Sequence, residues 1–256
     1  MARFFTSDWH LNSNNILKYA NRPFVSAGDA ASKLVDNCNE VAKWKTDIVF
    51  HVGDFWKKGV DRHDKKLGED DANLSATFDD YIRFINARFI LLEGNHDTRN
   101  CEADMKSMMI DLNQNYKEVF VTHYPSDNPN YHGRTCANWT FGKGINLCGH
   151  VHDKWILHYD KQKKILNINV SVDCWGYKPV KDTELTEMLD FIKDAKVKTP
   201  KDTLTPAEFL KWCKMNEKQV ETDRLARKQV RYAKKGLTPE ICKQRKLEAM
   251  KKKGLI

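Results

Sequence analysis

The sequence predicts an α/β protein, and three observations carry that expectation. Short apolar runs recur along the first 150 residues: Phe4-Phe5-Thr6, Ile48-Val49-Phe50, Phe89-Ile90-Leu91-Leu92, Val119-Phe120-Val121 and Ile145-Asn146-Leu147. Polar and helix-forming stretches separate them, which is the pattern of buried strands alternating with helices. Each run also stops at a cluster rich in Asp, His, Asn or Gly. In open α/β sheets, ligands gather beyond the carboxyl ends of the strands, so clusters at successive strand ends point to one shared site.

Taken in order, the first run ends in Asp8-Trp9-His10 and the second in Gly53-Asp54. The third ends in Gly94-Asn95-His96-Asp97, the fourth in His123, and the fifth in Gly149-His150-Val151-His152. Asp and His offer hard oxygen and intermediate nitrogen donors, which suit manganese, iron, zinc or nickel. Asp8, His10, Asp54, Asn95, His123, His150 and His152 are the candidate ligands. One ion rarely takes so many side chains, whereas two ions sharing a carboxylate can. Paired metals about 3.5–4 Å apart clamp the attacking and leaving oxygens of an in-line displacement. His51, His63, His132 and His158 fall outside the clusters and are expected to be structural.

With these clusters in this order, the chain resembles the calcineurin-like metallophosphoesterases. Their pattern runs Asp-x-His, Gly-Asp, Gly-Asn-His-Asp/Glu, His, and Gly-His-x-His. The resemblance covers residues 4 to about 180 and is closest to the small phage and bacterial members, through Asn21-Arg22-Pro23-Phe24 and the segment from Asn169 to Val180. It implies a four-layer α-β-β-α sandwich of two mixed sheets. It also implies that Asp8, His10 and His152 hold one divalent metal, that Asn95, His123 and His150 hold a second, and that Asp54 bridges them. Manganese is the first expectation, with iron, zinc or nickel as alternatives. His96 is implied to face the scissile phosphate as leaving-group acid or hydrogen-bond donor, with Asp97 orienting its ring. Members of the family often carry an Arg shortly after Gly-Asp. Here Phe55-Trp56-Lys57-Lys58 follows, so no Arg contact is expected at that point.

Arg22, Asn12 and Asn15 follow the first cluster closely and are candidate substrate contacts, with loop structure as the competing reading. Trp175 and Tyr177 are candidates to stack on a base or an aromatic leaving group, against a role as buried aromatics closing the sandwich. The stretches from Lys57 to Asp71 and from Ser126 to Asn138 read as loops at the mouth of the site. Gly142-Lys143-Gly144 lacks the spacing of a phosphate loop and reads as a turn. The expected activity is metal-dependent hydrolysis of nucleotide-like phosphate esters, leaning to diesters, with a nucleotide monophosphatase as the alternative.

A chain of 256 residues can bury a full core. Its seven cysteines, an odd number without paired spacing, read as reduced thiols in the cytoplasm of a bacterium or a phage-infected host cell. Neither a signal peptide nor a membrane span is expected. Charge, however, divides the chain. Residues 1–200 carry 27 Lys and Arg against 28 Asp and Glu, while residues 201–256 carry 16 against 7. The net charge of +8 therefore belongs to the tail. Thr205-Pro206-Ala207-Glu208 and Thr238-Pro239-Glu240 both have the form of helix starts, with an N-cap hydroxyl and proline at the first helical position. The expected division is a catalytic domain at 1–197 and a basic helical extension at 198–256. That extension is either a solvated face or a nucleic-acid contact that delivers a nuclease-like domain to its substrate.

Overall fold

The computed structural model describes residues 1–56, 78–97, 103–131, 144–194 and 202–234. The charged stretch from Lys57 to Asp71, the Gly142-Lys143 turn, His63, His132 and the helix start at Thr238 lie outside the described residues. All five apolar runs are strands: β1 (Arg3–Thr6), β2 (Ile48–Val52), β3 (Arg88–Leu92), β5 (Val119–Thr122) and β6 (Ile145–Cys148). Five further strands complete two sheets: β4 (Ser107–Ile110), β7 (Leu157–Asp160), β8 (Ile165–Asn169), β9 (Val180–Lys181) and β10 (Thr203–Leu204).

The smaller sheet has the order β3-β2-β1-β9 and the larger one β10-β7-β8-β6-β5-β4. Within the first, β1, β2 and β3 are parallel; within the second, β5, β6 and β8 are parallel. In each sheet the strand ends that carry the clusters therefore lie along one edge. A parallel bridge from Ser7 to Ser171 ties the end of β1 to the stretch after β8, and so joins the two edges.

Alternation along the strands sorts side chains between two cores. Phe5, Phe50, Val52 and Leu92 face a core shared with Val119, Val121, Ile145, Leu147 and Ile168 of the larger sheet. Phe5 and Phe50 are register partners and stack with ring centroids 5.2 Å apart. Phe4, Val49 and Leu91 point the other way, toward Leu34, Val35 and Cys38 of α2 (Ala27–Val41). Both faces of the smaller sheet are thus buried, which is why its strands read as unbroken apolar runs. In α2, Ala27, Ala30, Ala31, Leu34, Val35 and Cys38 form one apolar stripe, and Ser26 caps its start by accepting from the Asp29 N–H at 3.1 Å. Helices α1 (Asn15–Tyr19) and α3 (Phe78–Arg83) are short.

Helix α4 (Asp182–Asp194) and helix α5 (Pro206–Lys234) pack against each other and extend the shared core. They contribute Leu185, Leu189 and Ile192 from α4, and Phe209, Trp212 and Val220 from α5. The capping box expected at Thr205 forms reciprocally. The Glu208 N–H donates to Thr205 Oγ1 at 3.2 Å, and the Thr205 N–H donates to Glu208 Oε2 at 3.0 Å. The division expected at 197/198 falls just before β10, which pairs with β7 and buries Leu204. The first part of the expected extension therefore builds the same core as the sheets, at about 1.5–3 kcal/mol for each large apolar side chain buried. Farther along α5, Met215 and Leu225 are exposed. No helix among the described residues is long and apolar enough to cross a membrane. The architecture is an α/β sandwich.

Candidate metal centre

The chain leaves its parallel strands in an unusual backbone conformation. Asp8, His10, Asp54, His150 and His152 all have positive φ, between 49° and 72°. Asp, Asn and His are the non-glycine residues that tolerate this left-handed region best, at a cost on the order of 1–3 kcal/mol each. Hydrogen bonds hold the bends in place. The Asp8 N–H donates to Gly53 O and the His10 N–H to Asp54 O, both at 3.0 Å, so the loops after β1 and β2 run side by side. The His150 N–H donates to the Asp8 carboxylate at 3.0 Å, linking the larger sheet to the smaller. Gly53 has φ +88°, and a Cβ there would lie 2.5 Å from His123 Nδ1 and 2.8 Å from Gly94 Cα. At Gly94, a Cβ would collide with the carboxylate and amide of Asp54. These glycines let three loops close on one point.

Three groups of side chains meet there with ligand atoms within 4.8 Å of one another: Asp8, His10 and His152; Asp54, His123 and His150; and His10, Asp54 and His96. Asp54 Oδ2 lies 3.5 Å from His10 Nε2 and 3.3 Å from His123 Nε2, while its Oδ1 accepts the His96 N–H at 2.8 Å. Asn95 Oδ1 is 3.1 Å from His123 Nε2 and 2.9 Å from His150 Nδ1. His10 Nε2 is buried without a hydrogen-bond partner. An orphaned imidazole nitrogen among carboxylates and other imidazoles is what a divalent cation of the manganese, iron or zinc type requires, so the residues fit such ions.

Second partners fix which nitrogen each ring presents. His123 Nδ1 donates to Val52 O at 2.9 Å, which leaves Nε2 as the nitrogen facing Asp54 and Asn95. His152 Nδ1 is 3.0 Å from Asp173 Oδ2, leaving its Nε2 for the centre. The titration of the group follows from its crowding. Burial works against the His123 cation, yet the charge and hydrogen bond of Asp54 outweigh it and raise the ring from the usual 6.5 to about 9. Burial likewise opposes the Asp54 anion, but His123, His10 and the His96 amide hold its carboxyl well below the ordinary range. Desolvation dominates at His10, which stays neutral with its lone pair available.

Asp97 ties backbone groups of two loops together. Its buried carboxylate accepts the N–H groups of Asp54 at 2.6 Å, Gly94 at 2.9 Å and Phe55 at 3.0 Å. It pins the loops after β2 and β3 to each other, one residue from His96, whose ring it is expected to orient. Phe55 and Trp56, which follow Gly53-Asp54, are buried in the core beneath α2. Arg22, expected as a substrate contact, is 5 % exposed and serves as a clamp. Its guanidinium grips Asp173 at 2.8 and 2.9 Å and donates to Trp9 O at 2.9 Å and Asp8 O at 2.5 Å. Asn12 is also buried, and its Oδ1 accepts from Tyr81 OH at 2.7 Å.

A cleft of about 660 Å³ opens over the centre, and of the five expected substrate contacts only Asn15 lines it. Trp175 packs on the shared core and donates its Nε1–H to Asn169 O at 2.8 Å; Tyr177 packs against Phe24 with centroids 4.9 Å apart. The cleft is walled instead by Tyr19, Lys154 and Trp155, none of which the sequence singles out. Asp173 was also missed. The signal that could have found it is Arg22 itself, since a buried guanidinium needs a buried carboxylate.

Residues 1–117 match the family model for calcineurin-like phosphoesterases. An uncharacterized protein of Methanocaldococcus jannaschii is 29 % identical over 179 residues, spanning 69 % of this chain and 85 % of that one. A protein of unknown function from Aquifex aeolicus, 20 % identical, aligns over 73 % of this chain and 98 % of its own with a TM-score of 0.47. The family match covers the strands that bring Asp8, His10, Asp54, Asn95 and His96 to one edge, and the remaining histidines reach that edge from the second sheet. Residues 1–117 thus carry the match to the calcineurin-like phosphoesterases, a family of metal-dependent hydrolases that act on phosphate esters.

Proposed function

We propose that this enzyme is a phosphodiesterase with a dinuclear centre, acting on nucleotide-like esters. Asp8, His10 and His152 would hold one cation, Asn95, His123 and His150 the other, and Asp54 both. The observation that carries this reading is the place of Asp54 Oδ2, within 3.5 Å of a histidine nitrogen from each group. A carboxylate oxygen set between two ligand groups is the form a bridge takes in two-metal hydrolases. Manganese suits this mixture of carboxylate, amide and imidazole donors, and iron, zinc and nickel are the alternatives.

Bound divalent cations supply charge neutralisation of the phosphate and a lowered pKa for water. The side chains provide the orientation. Val52 O and Asp173 hold the rings of His123 and His152 with Nε2 presented, and Asp97 keeps the loops of Asp54 and Asn95 in register. His96 is exposed on the cleft floor, its ring 5.0 Å from that of His10, where it can donate a proton or hydrogen bond to a leaving oxygen.

The test compares bis- with mono-(p-nitrophenyl) phosphate after chelator treatment and readdition of Mn²⁺. Faster turnover of the diester, lost in chelator and restored by metal, is the expected result. Faster turnover of the monoester would move the enzyme to a nucleotidase. Failure on both esters with manganese, iron, zinc and nickel would reject the reading.

A further inference from the structure

A second cleft, of about 320 Å³, lies beyond Asn95, and the two clefts meet at that residue. Between them runs a rib of chain after β5. Pro125, Asn128 and Pro129 line the larger cleft, whereas Tyr124 and Asn130 line the smaller. The rib is anchored from the sheet beneath by buried polar residues. Asn167 accepts the Ser126 N–H and donates to Ser126 Oγ, both at 2.9 Å, and Ser126 Oγ donates to Asp160 Oδ2 at 2.9 Å. Asn146 Nδ2 donates to Tyr124 O at 3.1 Å, and Lys163 Nζ donates to Ser126 O. These buried hydrogen bonds fix the start of the rib at Tyr124 and Ser126, between the two clefts.

Both volumes suit small organic groups, for which pockets run to roughly 300–1,000 Å³. Outside the centre itself, the larger cleft offers the aromatic faces of Tyr19 and Trp155, with Lys154 and Asp127 as the charged side chains among its described lining residues. In the smaller, the only cation among the described residues, Lys106, is paired with Glu93 at 3.4 Å. Among the described residues, neither is lined by the row of cations that a polynucleotide backbone or a polyphosphate chain would neutralise. Room on one side of a phosphate site suffices for a monoester; room on both sides fits a diester.

We infer that the centre is flanked by two arm sites, so that the substrate is a small acyclic phosphodiester with one arm in each cleft. The planar arm lies against Tyr19 and Trp155, and the other enters the cleft of Ser107, Tyr124 and Asn130. This rests on the phosphodiesterase reading above and adds to it where each arm goes.

Two esters with the same leaving group separate the alternatives: thymidine 5′-(p-nitrophenyl phosphate), with two large arms, and methyl p-nitrophenyl phosphate, with one. The Mn²⁺-loaded full chain should prefer the thymidine ester by at least about tenfold in kcat/KM. Ser107→Trp fills the smaller cleft from an exposed position on an edge strand and should cut that preference to about twofold. Asn130→Trp, from the opposite lining, should do the same. Metal content by mass spectrometry checks that the centre is intact. Calorimetric titration with a non-hydrolysable phosphonate analogue of the thymidine ester, in which methylene replaces the bridging oxygen of the leaving group, should show the same weakening without turnover. An unchanged preference in both metal-replete variants overturns the inference and leaves the phosphodiesterase reading standing. No hydrolysis of either ester by the wild type overturns both.

Discussion

At the floor of the cleft, Asp8, His10, Asp54, His150 and His152 hang from strand ends in left-handed backbone, tied to one another by amide hydrogen bonds. The walls above them come from short surface stretches: Tyr19 closes α1, Lys154 and Trp155 lie in the turn before β7, and the rib of Pro125 to Pro129 follows β5. The difference is one of constraint. Each floor residue is held in place by several others, and glycines at 53 and 94 leave no space for a relaxed arrangement. A wall residue such as Tyr19, 63 % exposed, can change without disturbing what it rests on. The floor therefore fixes the reaction, while the walls are free to set what is bound.

The largest effect should come from the residue that most ties the floor together. Asp54→Ala removes the oxygen shared between His10 and His123 and the acceptor of the His96 N–H. Both metal content and activity should fall to background, read by mass spectrometry and by diester turnover. His96→Ala is the contrast, with kcat lowered by about 10²–10⁴-fold and metal content kept. Loss of metal in that variant would make His96 a ligand, as its closeness to His10 and Asp54 also allows.

Next comes truncation after Val197, which removes β10 and the docked turns of α5. Leu204, Phe209, Trp212 and Val220 leave the shared core together. At about 1.5–3 kcal/mol each, that is comparable with the whole stability of a typical domain, about 5–15 kcal/mol. The truncated chain should lose cooperative thermal unfolding. A shortened chain that kept its fold and its metals would support the division at 197/198.

Asp173→Asn probes the support beneath the floor. The buried Arg22 would keep its charge without a counterion, at a cost of about 3–5 kcal/mol, and His152 would lose the partner that orients it, at about 10–100-fold in metal affinity. The acid dependence gives a sharper reading. Burial opposes the Asp173 anion, but His152 and Arg22 outweigh it and hold the carboxyl below its usual range. A depressed folded pKa contributes stability that is present above the unfolded value, about 3.9, and lost as pH falls through the folded one. In metal-free protein, the drop of Tm below about pH 4 should be shallower in Asp173→Asn than in wild type. Equal slopes would show that Asp173 carries no such linkage.

The same contrast decides what could be read from the sequence. β1, β2, β3, β5 and β6 were legible because strands buried between layers must be apolar, and because metal ligands need Asp and His where the strands stop. β8 was not, since Asn167 and Asn169 interrupt its apolar pattern to anchor loops. β9 and β10 are two residues long and carry no periodicity at all. Among site residues, Asp54 and His123 were plain from their motifs, whereas Trp155 and Tyr19 belong to the cleft only through the folding of distant loops. Arg22 and Trp175 were placed on the substrate because they adjoin motifs. Their buried hydrogen bonds show how often polar groups beside a site are there to hold it.

Tyr19→Ala should have the smallest effect and discriminates most finely between floor and wall. The ring meets His152 edge-on with centroids 5.5 Å apart, and Lys154 Nζ lies 5.7 Å from the ring centre. Stacking on an aromatic side chain contributes about 1–3 kcal/mol per base, so losing it should raise KM for a thymidine ester by about 5–150-fold. Because the contact is made equally in the ground and transition states, kcat should stay within about twofold. Tyr19→Phe keeps the ring and should restore the wild-type KM, which separates stacking from any part played by the hydroxyl. Metal content should not change in either variant, since the ring supplies no ligand. A fall in kcat or in bound metal with Tyr19→Ala would show that the ring buttresses His152, and would move Tyr19 from the wall to the floor.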